Sequence, residues 1–140
     1  MGASFQLTGL RGLEAGLEKA SAELRTRVGN ANRDTAYAIQ ARAHALAPKD
    51  RGDLGRAIAV QGKGMNWRVG LLDQTLSSRG GRNRAHLNPS VYGVWYEYGF
   101  VTRKIAAHPF MRPAVDAETP HYEARMASIA SQVQNAARAA

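Results

Sequence analysis

Apolar residues recur at helical spacing from Leu10 to Leu46: Leu10, Leu13, Leu17, Leu24, Val28, Ala31, Ile39, Ala43 and Leu46. The positions between them are mostly Glu, Lys, Arg, Gln and Ala, which cost a helix little. The pattern predicts a short tail over 1–8 and one long helix over 9–47, with Thr8 as N-cap. Gly29-Asn30-Ala31-Asn32 is a weak point at which that helix bends or splits. Pro48 ends it, because the residue before a proline avoids the helical region.

The period then changes. Trp67, Val69 and Leu71 alternate with Asn66, Arg68 and Gly70, the pattern of a half-buried strand. Leu54 to Gln61 precedes it across a break at Gly62-Lys63-Gly64, although Leu54–Ile58 could also continue as a helical turn. Residues 73–89 are polar and read as a long exposed loop. Val91–Phe100 is the most aromatic segment. Tyr92, Val94 and Tyr96 alternate with Gly93, Trp95 and Glu97, so it reads as a strand that ends at Gly99. Strands are therefore expected within 54–100. A last helix is expected over 113–137, with Val115, Tyr122, Met126, Ile129 and Val133 on one face. Helix, strands and helix in that order make an α+β domain. Its long N-terminal and C-terminal helices would pack on a small, mainly antiparallel sheet.

Composition narrows the function classes. A chain of 140 residues fits one domain, and its 44% hydrophobic content supports a folded core. Aromatics are only 7% while alanine is plentiful, so the core is expected to be thin and helix-rich. The absence of cysteine excludes disulfides, thiolate metal sites and cysteine nucleophiles. No run approaches the roughly 18 apolar residues of a membrane helix, and no secretory signal pattern opens the chain. The net charge of +8 favours polyanionic partners, whether nucleic acid, acidic protein surfaces or anionic lipid.

Catalytic chemistry finds little support. No serine sits in a nucleophile elbow. His44, His86, His108 and His121 include no helical ligand pair. Asp50 and Asp53 flank a glycine and read as turn-formers before they read as a metal site. No catalytic residue, metal or cofactor is therefore expected. Arg79, Arg82 and Arg84 cluster in the polar loop, where they could meet DNA phosphates or an acidic neighbour. Glu97 lies in an aromatic segment and needs a partner, either Arg112, Arg56 or backbone donors.

Three local patterns occur in order: Ala47-Pro48-Lys49-Asp50-Arg51-Gly52-Asp53-Leu54-Gly55-Arg56-Ala57-Ile58, then Tyr92-Gly93-Val94-Trp95-Tyr96-Glu97-Tyr98-Gly99, then Ala107-His108-Pro109-Phe110-Met111-Arg112-Pro113-Ala114. Together they resemble the small tail-component family of long-tailed bacteriophages and prophages, from the first helix to the last. The sequence departs from that pattern at Arg51, Gly55 and Phe100, which stand where threonine, arginine and threonine are usual. The resemblance implies a structural virion protein of the neck, of tail-completion or tail-terminator type. It would be assembled in the bacterial cytoplasm as a ring of copies, most often six. It would join the tail tube to the head–tail connector and touch passing DNA without sequence preference. The residues implied at interfaces or structural turns are Pro48, Asp50, Gly52, Leu54, Arg56, Tyr92, Tyr96, Glu97, Gly99, His108, Pro109, Phe110, Met111, Arg112 and Pro113. The alternative is a basic nucleic-acid-binding protein, with or without metal-dependent nuclease activity.

Overall fold

A computed structural model describes residues 11–49, 53–71 and 89–139. It is an α+β fold. A long helix α1 (Arg11–Leu46) leads to a short helix α2 (Asp53–Ala57). The strands β1 (Ile58–Lys63) and β2 (Asn66–Leu71) follow, then α3 (Pro89–Tyr98), a 3₁₀ turn (Val101–Arg103) and α4 (Met111–Ala139). The sheet is a two-stranded antiparallel hairpin whose register pairs Ile58 with Leu71 and Lys63 with Asn66.

Gly64 occupies the first position of the two-residue hairpin loop with φ 61°, a backbone conformation glycine adopts without cost. That turn explains the suspected weak point of α1. The helix runs through Gly29–Asn32 without a break. A Cβ on Gly29 would lie 2.6 Å from the Gly64 carbonyl oxygen, so the glycine lets the hairpin turn sit against the helix backbone. Asn32 Nδ2 then donates to the Met65 carbonyl at 2.7 Å. Two of the four residues that weaken the helix locally, Gly29 and Asn32, are those that meet the hairpin turn.

The core is small and alanine-rich. Ala43 from α1, Ala47 just after it, Leu54 from α2, Ile58 from β1, Phe110 just before α4 and Ala114 within it are buried together. Ile39, Val69, Leu71, Tyr92, Tyr96 and Met111 pack around them. Phe110 is 1% exposed and is the largest fully buried side chain among the described residues. Burial of one such side chain contributes about 3 kcal/mol, so this ring anchors several elements at once. Alanines elsewhere in the core let α1 and α4 approach closely.

One element differs in type from expectation. Val91–Phe100 reads as a strand, yet α3 is a helix. Its burial has helical spacing. Tyr92, Gly93 and Tyr96 turn inward to different degrees, while Val94 and Tyr98, four apart, are exposed. A short aromatic run satisfies either period over so few residues, and its strand-favouring composition tips the reading the wrong way. Pro89 sits at the first helical position, where its missing N–H costs nothing, and is the sequence signal for this helix. The segment 54–57 resolves as helix, with the first strand beginning only at Ile58.

Candidate assembly interface

The second and third sequence patterns meet at one carboxylate. Glu97, near the end of α3, accepts hydrogen bonds from three backbone N–H groups at the start of α4. Phe110 and Met111 donate to Oε2 at 2.9 and 3.0 Å, and Arg112 donates to Oε1 at 2.9 Å. A helix start leaves its first N–H groups without intrahelical partners. Here Glu97 satisfies three of them, and the next residue, Pro113, has no N–H to satisfy. The positive end of the α4 dipole also favours the negative charge. Burial pushes the Glu97 carboxyl up, but the three donors and the nearby Arg112 charge outweigh it and hold the group below its ordinary value. The His108 backbone N–H donates to the Tyr96 carbonyl at 2.6 Å, which ties the same two elements a second time.

Gly99 makes this geometry reachable. It closes α3 with φ 78° while its N–H bonds the Trp95 carbonyl at 2.7 Å. The chain then forms a tight loop in which Phe100 and Ile105 exchange backbone hydrogen bonds of 2.9 and 3.0 Å. Lys104, with φ 54°, is the only described non-glycine residue in the left-handed region. The loop is braced from behind by Phe100 stacked on Trp95 at 5.2 Å between centroids. The Arg103 guanidinium lies 4.8 Å from the Trp95 centroid, so the indole contacts both groups.

What this brace presents outward is apolar and cationic. Val101 at the loop is 93% exposed, Tyr98 67% and Val94 52%. The Arg112 guanidinium stands 5.7 Å from the Tyr98 ring centroid, and Arg103 and Lys104 are exposed beside Val101. The only acid in this segment, Glu97, is engaged with α4.

A second feature had no counterpart in the sequence reading. α1 and α4 run antiparallel and are joined by three polar pairs. Arg27 donates to Gln132, Arg125 donates to Thr35 Oγ1 at 2.7 Å, and Arg42 donates to Glu118 Oε1 at 2.5 Å. On α4 these partners fall seven residues apart, the spacing of a helix–helix seam. Glu118 is only 4% exposed, whereas the Arg42 side chain is half exposed. Charges on a helix normally read as its wet face, so nothing but the seven-residue interval could have drawn attention to them.

The remaining predicted positions fall as follows. Leu54 is buried in the core, while Arg56 is exposed on α2. Pro48 is half-buried just after α1. Tyr92 and Tyr96 make an edge-on pair with centroids 6.4 Å apart. His108, Pro109, Arg112 and Pro113 are exposed around the buried Phe110, with Met111 half-buried. Asp50, Gly52, the loop arginines Arg79, Arg82 and Arg84, and the loop itself up to residue 88 lie outside the described residues. Among the described residues no three His, Asp or Glu side chains converge as metal ligands, and no helix is long and apolar enough to cross a membrane. Compared with known proteins, the chain matches no family model, no curated protein and no solved structure.

Proposed function

We propose that this chain is a non-enzymatic structural protein of a long-tailed phage particle, acting in the neck where head and tail join. In this reading copies of the chain form a ring that completes or terminates the tail tube and docks on the head–tail connector. Residency in the virion follows from that role.

The observation that carries the reading is the ordered set of three sequence patterns, together with the use the fold makes of two of them. Tyr92–Gly99 and Ala107–Ala114 form one unit through Glu97, Gly99 and Phe110. The unit's bonding is spent on shape: a satisfied helix start, a glycine turn and a buried ring. Its outer side offers apolar and cationic groups suited to a protein neighbour. The charge of +8 would serve contact with acidic partners or with the DNA that passes through the neck.

The test has two parts. Mass measurement of the purified chain, alone and with isolated tail tubes, should give closed oligomers. Particles assembled without the chain should yield heads and tails that do not join, and adding it back should restore joining. Infectious particles that lack the chain altogether would overturn the proposal.

A further inference from the structure

We infer that residues 3–8 of one copy enter the groove between β2 and α4 of the next copy and pair with the outer edge of β2 as a third strand. This rests on the self-assembly reading above and names its interface.

The first observation is the edge. β1 and β2 close on a two-residue loop, so Lys63 and Asn66 exchange hydrogen bonds and bonded pairs alternate from there. Trp67, Val69 and Leu71 are then the β2 residues whose N–H and C=O point away from β1. Among the described residues no backbone group bonds to them on that side. The opposite edge is partly taken, since Gln40 Nε2 donates to the Ile58 carbonyl at 2.8 Å. β2 contains no proline, and its one charge, Arg68, alternates onto the other face of the hairpin. The usual devices against edge pairing are therefore missing, and a sheet of two strands gains from a third.

The second observation is a groove of about 320 Å³ along that edge. Trp67 and Val69 form one wall, Val115 and Thr119 of α4 the other, and α1 from Asn32 to Ile39 the floor. Asn32 Oδ1 is buried without a hydrogen-bond partner, so the floor favours a donor brought to it. An apolar groove walled by a bare strand edge is the geometry of strand addition. Main-chain bonds hold the incoming segment, and its alternate side chains fill the groove.

The third observation is the occupant. Ala3, Phe5 and Leu7 alternate with Ser4, Gln6 and Thr8, the period of a strand with one apolar face. That face would continue the inward series of Trp67, Val69 and Leu71. Residues 73–86 offer no such series, because apart from glycine their apolar residues are Leu76 and Ala85. Reach decides which copy supplies the segment. α1 runs unbroken from Arg11, and Asn32, where the groove begins, lies about 31 Å along it. Phe5 at full extension lies at most about 22 Å from Arg11. A chain cannot seat its own segment, so the contact joins two copies. Strand and groove are different surfaces, which makes the contact heterologous, the kind that closes into a ring when the rotation fits.

The chain has no cysteine, which makes a clean test available. Phe5→Cys and Val115→Cys are introduced singly, the two proteins are mixed, and a short bifunctional maleimide is added. A covalent dimer between the two variants, absent from either alone, is expected. In parallel, mass is followed against concentration for Phe5→Asp, which spoils the strand, and for Thr119→Arg, which fills the groove from an exposed position on α4. Each alone should weaken association at least about tenfold. Mixed together, the two should form dimers and nothing larger, because one intact strand still meets one intact groove. Circular dichroism reports whether the fold is kept. Oligomers that form without the cross-link and ignore both changes overturn this contact and leave the neck reading standing. A cross-link within one chain between Leu76→Cys and Val115→Cys does the same, by putting residues 73–86 in the groove. A chain that stays monomeric at every concentration overturns the contact as well. Loss of the neck reading itself would show separately, as heads and tails that join without the protein.

Discussion

α4 is held twice, and by different physics. Its first turn is fixed by a buried aromatic ring and a carboxylate that accepts from three backbone N–H groups. The rest lies along α1 on small side chains and three polar pairs, most of them half in water. The first attachment is dense and local, whereas the second is long and shallow. The first defines a local shape, and the second sets a register. Of the seam's three polar pairs only Arg42–Glu118 is an ion pair, with its carboxylate buried, while the other two are hydrogen bonds from an arginine to a neutral side chain, each worth about 1 kcal/mol.

The sharpest way to break the contrast is Phe110→Ala. It removes the one large ring from the core and should cost about 3–5 kcal/mol in urea unfolding, enough to unfold a marginal domain. Next is Glu97→Ala, which strands three N–H groups at the start of α4 and should cost about 2–3 kcal/mol, with Glu97→Gln losing less because one oxygen remains an acceptor. This attachment also has a pH signature. The folded carboxyl titrates below its unfolded value, so its contribution is complete above the ordinary carboxylate range and is lost as pH falls through the folded value. Acid unfolding of the Glu97→Gln variant should therefore be flatter than that of the natural chain below about pH 4.5, the ordinary value for this group.

The seam should respond more weakly, with one exception. Arg42→Met alone leaves the buried Glu118 without its cation and should cost about 2 kcal/mol, while Arg42→Met with Glu118→Leu should return to within about 1 kcal/mol of the natural chain. A double-mutant cycle checks this directly, and a double variant as unstable as the single would mean that the pair stabilises the fold outright. Arg27→Ala, at the open end of the seam, should change stability by less than about 0.5 kcal/mol.

Much of the fold was legible in the chain because the two long helices announce themselves by period and by Pro48. The hairpin did so through alternation around Trp67 and the glycine at its turn. α3 was not legible as a helix, since aromatic and branched residues over ten positions fit both periods and only Pro89 speaks for the helix. The need of Glu97 for a partner could be deduced from its apolar neighbours. That the partner is the start of α4, and not a side chain, depends on the turn at Gly99, which brings together groups more than ten residues apart. The Arg42–Glu118 pair was hidden because charge on a helix ordinarily signals exposure.

Pro120 lies within α4, on its exposed side. It supplies no N–H to the carbonyl of Asp116, and one residue earlier the Thr119 hydroxyl donates to the Val115 carbonyl at 2.8 Å, a bond that tends to bow a helix. The outer wall of α4 thus lacks a rung where its two attachments meet. Amide hydrogen exchange along this helix should divide into two blocks, residues 111–119 with the core contacts and the Arg42–Glu118 pair, and residues 121–139 with the other two seam pairs, so that the far half can let go while the near half stays closed.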